Sequence, residues 1–255
     1  MKKVTIYNVL GITAIILITL PVVLVIILSF NDNNYLGLDF NGPSLKWYSN
    51  FLRTPQWYES FITSVIIAFF SALLSILLGF FTLYIPRINR IFSLILFITF
   101  LLPLVIPPII FGVSFLFMYS SIGLTDTYIG LIIAHSLIGF PFSFLIINNG
   151  YRNMDANLII VAKSSGATNI FTTLKVIIPS LKKSLIVSYF FSFLISFDEP
   201  VIALFLSNSK VRTLPRQIFD GLRYDIDPTI SAVSTMLIFI SLIFLRIITF
   251  QTKRK

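Results

Sequence analysis

Two adjacent acids, Asp198 and Glu199, are the side chains whose position most strongly suggests chemistry. They interrupt an otherwise apolar run from Leu185 to Leu206. If this run is a helix across a membrane, Asp198 lies roughly 20 Å from its start, in the outer part of a hydrocarbon core about 30 Å thick. Carboxylates at such a depth face a cavity or a partner, because exposure to lipid is unfavourable. The pair therefore predicts attraction of a cationic solute. The alternative is a structural role, as an ion pair or helix-end cap beside Pro200.

Few other residues support catalysis or metal binding. His135 is the only histidine and lies within another apolar run, where it serves either as a hydrogen-bond partner between helices or as a substrate contact. The absence of cysteine excludes disulfides, thiolate metal sites and a cysteine nucleophile. The absence of a Gly-Lys pair excludes a phosphate-binding P-loop. We expect no enzymatic activity, metal or cofactor, and any coupled ATP hydrolysis belongs to another chain.

The elements that position these residues are long apolar runs. Hydrophobic residues make up 56% of the chain, charged residues 11%, and the mean hydropathy is +0.94. A bilayer crossing needs roughly 20 apolar residues, and continuous apolarity indicates helices instead of a β-barrel. The sequence predicts one all-α integral membrane domain over residues 1–255. Its six transmembrane helices are expected near residues 9–30, 62–84, 91–119, 128–147, 185–206 and 229–247.

Basic residues are distributed asymmetrically between the two sides of these spans. One side holds 13 basic residues and one acid, and the other holds 6 basic residues and 7 acids. The basic side comprises the N-terminus, the turn at 87–90, the segment 152–183 and the tail from Arg246. Because Lys and Arg are enriched in cytoplasmic loops, both termini are predicted to be cytoplasmic. The net charge of +9 therefore reflects basic residues that orient the helices in the lipid bilayer. No nucleic-acid partner is expected.

Prolines interrupt the third run. Pro103, Pro107 and Pro108 remove backbone donors and predict a bent or broken helix. Such a helix either lines a path or is a tolerated kink buried in the bundle.

The cytoplasmic segment 152–183 is too apolar for a plain linker. Residues 155–166 predict a short helix ended by Gly166, and a second helix is expected from Thr168 or Asn169 to Lys175, with Pro179 opening the next one. The apolar members of this segment are Leu158, Ile159, Val161, Ala162, Ile170, Phe171 and Leu174. Part of this surface must meet either the chain's own helix ends or a cytoplasmic partner.

The spacing from Gly166 to Pro179 resembles the cytoplasmic motif of ABC importer permeases. Ala162, Gly166, Ile177 and Pro179 agree with that motif. Ile160 and Val161 stand where the family has Glu and the first Ala, and Ile178 replaces a Leu. Residues 196–207, 213–215 and 225–235 are similar to the spermidine/putrescine-type permeases of this family. The resemblance covers roughly residues 60–250.

This resemblance implies a type I ABC importer permease fold in a bacterial inner membrane. It implies a separate ATP-binding subunit in two copies, a second homologous permease and an extracytoplasmic substrate-binding protein. The residues that it assigns to contact with the ATPase are Ile160, Ala162, Gly166, Ala167, Ile177 and Pro179. The loop 207–227, with mixed charges that include Arg212, Arg216, Arg223, Asp220, Asp225 and Asp227, either docks the binding protein or is simply solvated.

Several functions stay open at this level. A polyamine-like cation is the expected substrate, and other organic cations, iron and aminophosphonates are alternatives. A channel should show a filter of repeated carbonyls or charged rings, and none is evident. A secondary transporter would need charges deep in several helices, and only the fifth run has acids. A membrane-embedded enzyme would need paired catalytic residues, which the chain lacks.

Overall fold

The computed structural model describes residues 2–253 except 36, 38, 40, 86–88 and 225–226, without the side chains of residues 2–6, 224, 244–245 and 247–253. Arg87 and Asp225, which the sequence assigned to the two charged sides, lie outside the described residues. All regular structure within the described part is helical, apart from one isolated bridge between Asn31 and Pro43. The prediction of an all-α chain is therefore confirmed.

Thirteen α-helices follow one another along the described residues. They are α1 (Lys2–Ser29), α2 (Lys46–Arg53), α3 (Pro55–Phe81), α4 (Arg90–Val105), α5 (Pro108–Ile122), α6 (Tyr128–Arg152), α7 (Asn157–Ser164), α8 (Asn169–Thr172), α9 (Ile178–Ser180), α10 (Lys182–Phe197), α11 (Pro200–Leu206), α12 (Leu214–Tyr224) and α13 (Thr229–Lys253). A 3₁₀ turn over Thr82–Tyr84 extends α3, and a π-helical turn over Thr173–Ile177 joins α8 to α9.

Three helical segments are long and apolar enough to cross a membrane: Tyr7–Ser29, Pro55–Tyr84 and Tyr128–Arg152. Two bent pairs, α4 with α5 and α10 with α11, raise the number to five if each pair is one crossing. The apolar part of α13 whose side chains the structure describes, Thr229–Ile243, is shorter. The six crossings and the orientation of the termini remain predictions.

The third apolar run is two helices, because its prolines break the backbone ladder. The helices α4 and α5 are bent by 96° at Ile106 and Pro107. Pro108 occupies the first turn of α5, where its missing amide is tolerated, whereas Pro103 lies inside α4. The predicted break is confirmed. The predicted span over 91–119 coincides with this bent pair.

Two compact units divide the chain: residues 1–59 with 217–243, and residues 60–216 with 244–255. In the first unit, buried Trp47 donates its indole N–H to the carbonyl of Asn31 at 2.9 Å, and Trp57 donates to the Asp227 carboxylate at 3.1 Å. Asp227 also accepts the amide of Thr229 at 2.8 Å, as a cap of α13. The prediction of one domain over the whole chain remains a prediction.

The second unit has two apolar clusters. One joins α3, α5, α6, α11 and the segment after α11 through Ile67, Phe115, Tyr119, Leu131, Ala134, Ile202, Leu206 and Val211. The other joins α6 to the segment before α10 through Ile147, Ile177 and Leu181. These clusters hold the bent pair α10–α11 at one end and the segment 152–183 at the other.

Candidate functional site

The two acids lie at the bend between α10 and α11. The axes of the two helices differ by 55°, and the residues between them are Asp198 and Glu199. The predicted span 185–206 is thus a broken helix, because Pro200 cannot donate a backbone hydrogen bond. Its nitrogen occupies the first position of α11, where no donor is needed.

Glu199 caps α11 with its own side chain. Its Oε1 accepts the amide of Val201 at 2.8 Å and the amide of Ile202 at 3.1 Å. A carboxylate at a helix N-terminus satisfies free N–H groups and interacts favourably with the helix dipole. Glu199 therefore acts as a helix-end cap, which is the structural alternative named in the sequence analysis.

Asp198 differs from its neighbour. Its side chain is exposed, and it accepts no hydrogen bond from any residue that the structure describes. Only its backbone is engaged, because its amide closes the last turn of α10 on the carbonyl of Leu194 at 3.0 Å. The carboxylate of Asp198 therefore makes no hydrogen bond to the described residues, whereas that of Glu199 is used within the fold.

His135 is buried beside this bend. Its Nδ1 lies 2.9 Å from the hydroxyl and 3.1 Å from the carbonyl oxygen of Ser196, whereas its buried Nε2 has no partner among the described residues. The histidine thus links α6 to α10 two residues before Asp198. This contact matches the interhelical hydrogen bond that the sequence gave as one of two roles.

Small residues let α3, α6 and α10 approach closely. Ser75 donates to the carbonyl of Ser136 at 2.8 Å, and the hydroxyls of Ser143 and Ser192 are 2.8 Å apart. A Cβ placed on Gly79 would lie 3.1 Å from the backbone of residues 143–144. Interfaces of small residues with hydrogen-bonding hydroxyls are typical of helices packed in membranes. This close packing of α3, α6 and α10 holds α10 in place, and Asp198 directly follows α10.

Asp126 organises the segment that follows α11, a role that the sequence did not predict. Its carboxylate accepts the amides of Asn208 at 2.8 Å, Lys210 at 3.1 Å and Val211 at 3.1 Å. Its own backbone has φ +56°, a left-handed conformation that Asp tolerates better than most residues. Partial burial raises the pKa of Asp126, but the three backbone hydrogen bonds outweigh it and hold the pKa below the ordinary value of 3.8.

Arg216 also holds the end of α11. Its Nη1 donates to the carbonyl of Leu204 at 2.6 Å and to that of Ser207 at 3.3 Å. These two carbonyls belong to the last turn and end of the helix, where no intrahelical donor is left. The predicted loop 207–227 also contains the helix α12 over Leu214–Tyr224, so most of it is not an irregular loop.

The segment 152–183 forms the predicted short helix and its glycine stop. α7 ends at Ser164, and Gly166 has φ +82°, the left-handed conformation that glycine adopts without strain. The amide of Ala167 donates to the carbonyl of Ala162 at 3.1 Å. Thr168 accepts the amide of Phe171 at 3.2 Å and caps α8. The second helix does not end at Lys175, because α8, the π-helical turn and α9 continue to Ser180.

Apolar side chains on this segment are exposed. The exposed fractions are 59% for Ile160, 63% for Val161, 73% for Ile170, 54% for Phe171 and 55% for Leu174. A cavity of about 390 Å³ beside them is lined by Ala162, Ser165, Gly166, Ala167, Thr168 and Phe171. Exposed apolar side chains of this kind are typical of surfaces that contact a protein partner or a membrane.

Residues 71–255 match the family described as the binding-protein-dependent transport system inner membrane component. This match covers well over half of the chain. The chain belongs to this family.

Two relatives are permeases of polyamine transport systems. The spermidine/putrescine transport system permease protein PotC of Haemophilus influenzae is 28% identical over 228 residues, which cover 88% of this chain and 87% of PotC. The putrescine transport system permease protein PotI of Escherichia coli K12 is 25% identical over 228 residues, which cover 86% of this chain and 80% of PotI.

A solved structure of similar fold belongs to a bacterial ABC transporter involved in the import of the acidic polysaccharide alginate. It aligns with a TM-score of 0.70 at 18% identity and covers 99% of this chain and 96% of that chain. This likeness shows that the two chains share a fold. As a permease of this family, the chain is a multi-pass inner membrane transport subunit that works with a separate ATPase and a substrate-binding protein.

The structure brings together only part of the residues that the permease motif assigned to ATPase contact. Ala162, Gly166 and Ala167 line one cavity, with exposed Ile160 on the helix that precedes it. Ile177 is only 6% exposed and packs against Ile147 and Leu181 inside the permease. Pro179 is exposed on α9, outside that cavity. Ser165, Thr168 and Phe171 also line the cavity, although the motif did not assign them.

Proposed function

We propose that this chain moves a polyamine-like cation across the inner membrane as one permease of an ATP-driven importer. Support comes from two polyamine permeases that align over at least 80% of their own lengths and 86% of this chain. The exposed carboxylate of Asp198, at a bend in a broken helix, is the observation that carries the cation assignment. An ionised carboxylate attracts ammonium groups, and such acids in membrane helices mark substrate paths.

The proposed architecture has six crossings with both termini in the cytoplasm. The fifth crossing is the bent pair α10–α11, and the sixth is α13. The proposed orientation follows from the excess of basic residues on one side, and it puts the segment 152–183 in the cytoplasm. Access to Asp198 then comes from the outer side.

The exposed apolar segment around Gly166 is the proposed contact with the ATPase. Two ATPase subunits would close on this permease and on a second, homologous permease. Closure would move the helices that carry Asp198 between an inward-open and an outward-open arrangement. ATP drives such a change only if it binds the two arrangements with different affinity. The missing motif carboxylate at Ile160 means that apolar packing supplies more of this contact.

The substrate assignment is tested by uptake into proteoliposomes that contain the complete transporter and receive the binding protein and ATP. Labelled spermidine is offered with competitors: putrescine, a ferric chelate, an aminophosphonate and a neutral sugar. We expect competition by putrescine alone. No uptake of labelled spermidine, together with uptake of a labelled ferric chelate or aminophosphonate by the same vesicles, would instead assign one of those substrates.

The same assay tests the role of Asp198. We expect Asp198→Asn to raise KM about tenfold, the factor for losing a hydrogen bond to a charged group, and Asp198→Glu to restore most of it. An unchanged KM for Asp198→Asn would remove Asp198 from the substrate path.

A further inference from the structure

A basic cavity lies where the C-terminal end of α6 meets the start of α10. Its volume is about 1020 Å³, and Arg152, Lys183 and Asn149 are among the residues that line it. An adjoining cavity of about 380 Å³ along α4 shares Arg152 with it and adds Arg90. Both volumes are in the range of protein cavities that hold small ligands, roughly 300–1,000 Å³. Neither cavity belongs to the bend at Asp198 or to the apolar surface around Gly166.

The lining of these cavities has one sign of charge. The described residues around both include Arg90, Arg152 and Lys183 but no Asp or Glu. Asn149 adds a side-chain amide that donates hydrogen bonds. Guanidinium and ammonium groups together with amide donors are the groups that bind phosphate oxygens. The chemistry therefore points to a phosphate-bearing anion.

Apolar side chains stand beside the charged ones. Phe97 is 40% exposed and Leu145 is 37% exposed, and both line the larger cavity. A free phosphate ion would gain nothing from these apolar groups, whereas the acyl chains of a lipid would cover them. A basic pocket between helices at the cytoplasmic side of a membrane protein is typical of sites for anionic lipid headgroups.

We propose that the permease binds an anionic phospholipid here, with the headgroup phosphate between Arg152 and Lys183 and the acyl chains against Phe97 and Leu145. The proposal rests on the orientation given above, in which this end of α6 is cytoplasmic. Lipid bound in this cavity would contact the ends of α4, α6 and α10 together. The position of α10, which leads to Asp198, would then depend on the lipid composition of the inner leaflet.

The test is native mass spectrometry of the delipidated, fully assembled transporter. The complex is titrated with phosphatidylglycerol, with phosphatidylcholine of the same acyl chains, or with inorganic phosphate. We expect tight binding of phosphatidylglycerol only, and we expect Arg152→Gln with Lys183→Gln to weaken it roughly fivefold for each charge removed. The matched control is Lys175→Gln with Lys182→Gln, which removes the same charge from exposed residues of the same region that do not line the cavities.

Three results would overturn the proposal. The first is equal binding of the two lipids by the unmodified complex. The second is an equal loss in the control variant, which would assign the effect to overall charge. The third is saturation of the site by inorganic phosphate without any preference for phosphatidylglycerol. Lipid binding is measured without any transport step. The lipid proposal can therefore be judged even if the uptake assay contradicts the proposed function.

Discussion

Glu199 and Asp198 are adjacent carboxylates with different surroundings, and substitutions should separate them. Glu199→Ala removes the acceptor of two amides at the start of α11, so we expect a loss of about 1 kcal/mol of stability, typical of a lost N-cap. Glu199→Gln keeps an oxygen acceptor and should lose less. The measurement is the thermal unfolding midpoint of the purified complex.

Asp198→Asn is the matched control for this prediction, because the side chain of Asp198 caps nothing. It should leave the midpoint unchanged while it alters KM. A midpoint for Asp198→Asn as low as that for Glu199→Ala would contradict the division of roles between the two acids.

Asp126 gives the fold a pH-dependent contribution to its stability. Its pKa is lower in the folded protein than its ordinary value of 3.8, because three amides donate to the ionised carboxylate. A group of this kind stabilises the fold above its unfolded pKa, and the contribution is lost as the pH falls through the folded pKa. The unfolding midpoint of the unmodified protein should therefore exceed that of Asp126→Asn at pH 6, and the difference should shrink below about pH 4. A difference that is constant from pH 6 to pH 3 would contradict the role of the charge.

At the scale of elements, apolar runs located the helices but not their bends. Charge-free stretches indicated α1, α3, α6 and α13, because a bilayer demands length and apolarity that the sequence displays directly. Pro107 and Pro108 also indicated a break, since a missing amide is a local property. The 96° angle depends on what packs around the break, and no local pattern carries that information.

The candidate site was predictable to a similar degree. Gly166 was assigned correctly as a helix stop, because a left-handed glycine has a local signature. The role of Asp126 could not be predicted, since its partners are more than 80 residues away in the chain. Ile177 agreed with the motif but is buried, because burial depends on the distant Ile147.

The close approach of α3 and α6 is testable at Gly79. A Cβ there would lie 3.1 Å from the backbone of Ser143 and Phe144, so Gly79→Ala should force the helices apart and cost about 1–3 kcal/mol. Gly11→Ala is the matched control, because outside its own helix backbone no described residue has an atom within 4 Å of its Cβ position in α1. That variant should be neutral or slightly stabilising, as Ala favours helices. Equal unfolding midpoints for Gly79→Ala and Gly11→Ala would contradict the close packing of α3 and α6.

The segment around Gly166 is testable by the size of the side chain placed there. Apart from its chain neighbours, no described residue has an atom within 4 Å of a Cβ at this position, so a larger side chain meets strain from φ +82° but no clash with the described residues. We expect Gly166→Phe to insert into the membrane normally and to abolish uptake, since its ring would block a partner's approach. Gly166→Asn, which tolerates this conformation, should retain much of the uptake. Membrane levels by immunoblot serve as the control, and normal uptake by Gly166→Phe would contradict the coupling role.

At the scale of the whole molecule, the chain has the parts of a transport subunit and depends on others for energy. Its family members are the inner membrane components of binding-protein-dependent transport systems. In the proposed function, the exposed acid attracts the solute and the exposed apolar segment receives movement from the ATPase. The two regions lie toward opposite ends of α10, so movement of this helix would connect them.

The most direct test of this account is labelled spermidine uptake in proteoliposomes, measured with the permease pair alone and with the ATPase subunits added. Binding protein and ATP are present in both. We predict accumulation only when the ATPase subunits are present, and none when ATP is replaced by a non-hydrolysable analogue. Equal accumulation by the permeases without any ATPase would contradict the central claim that an external motor drives this subunit.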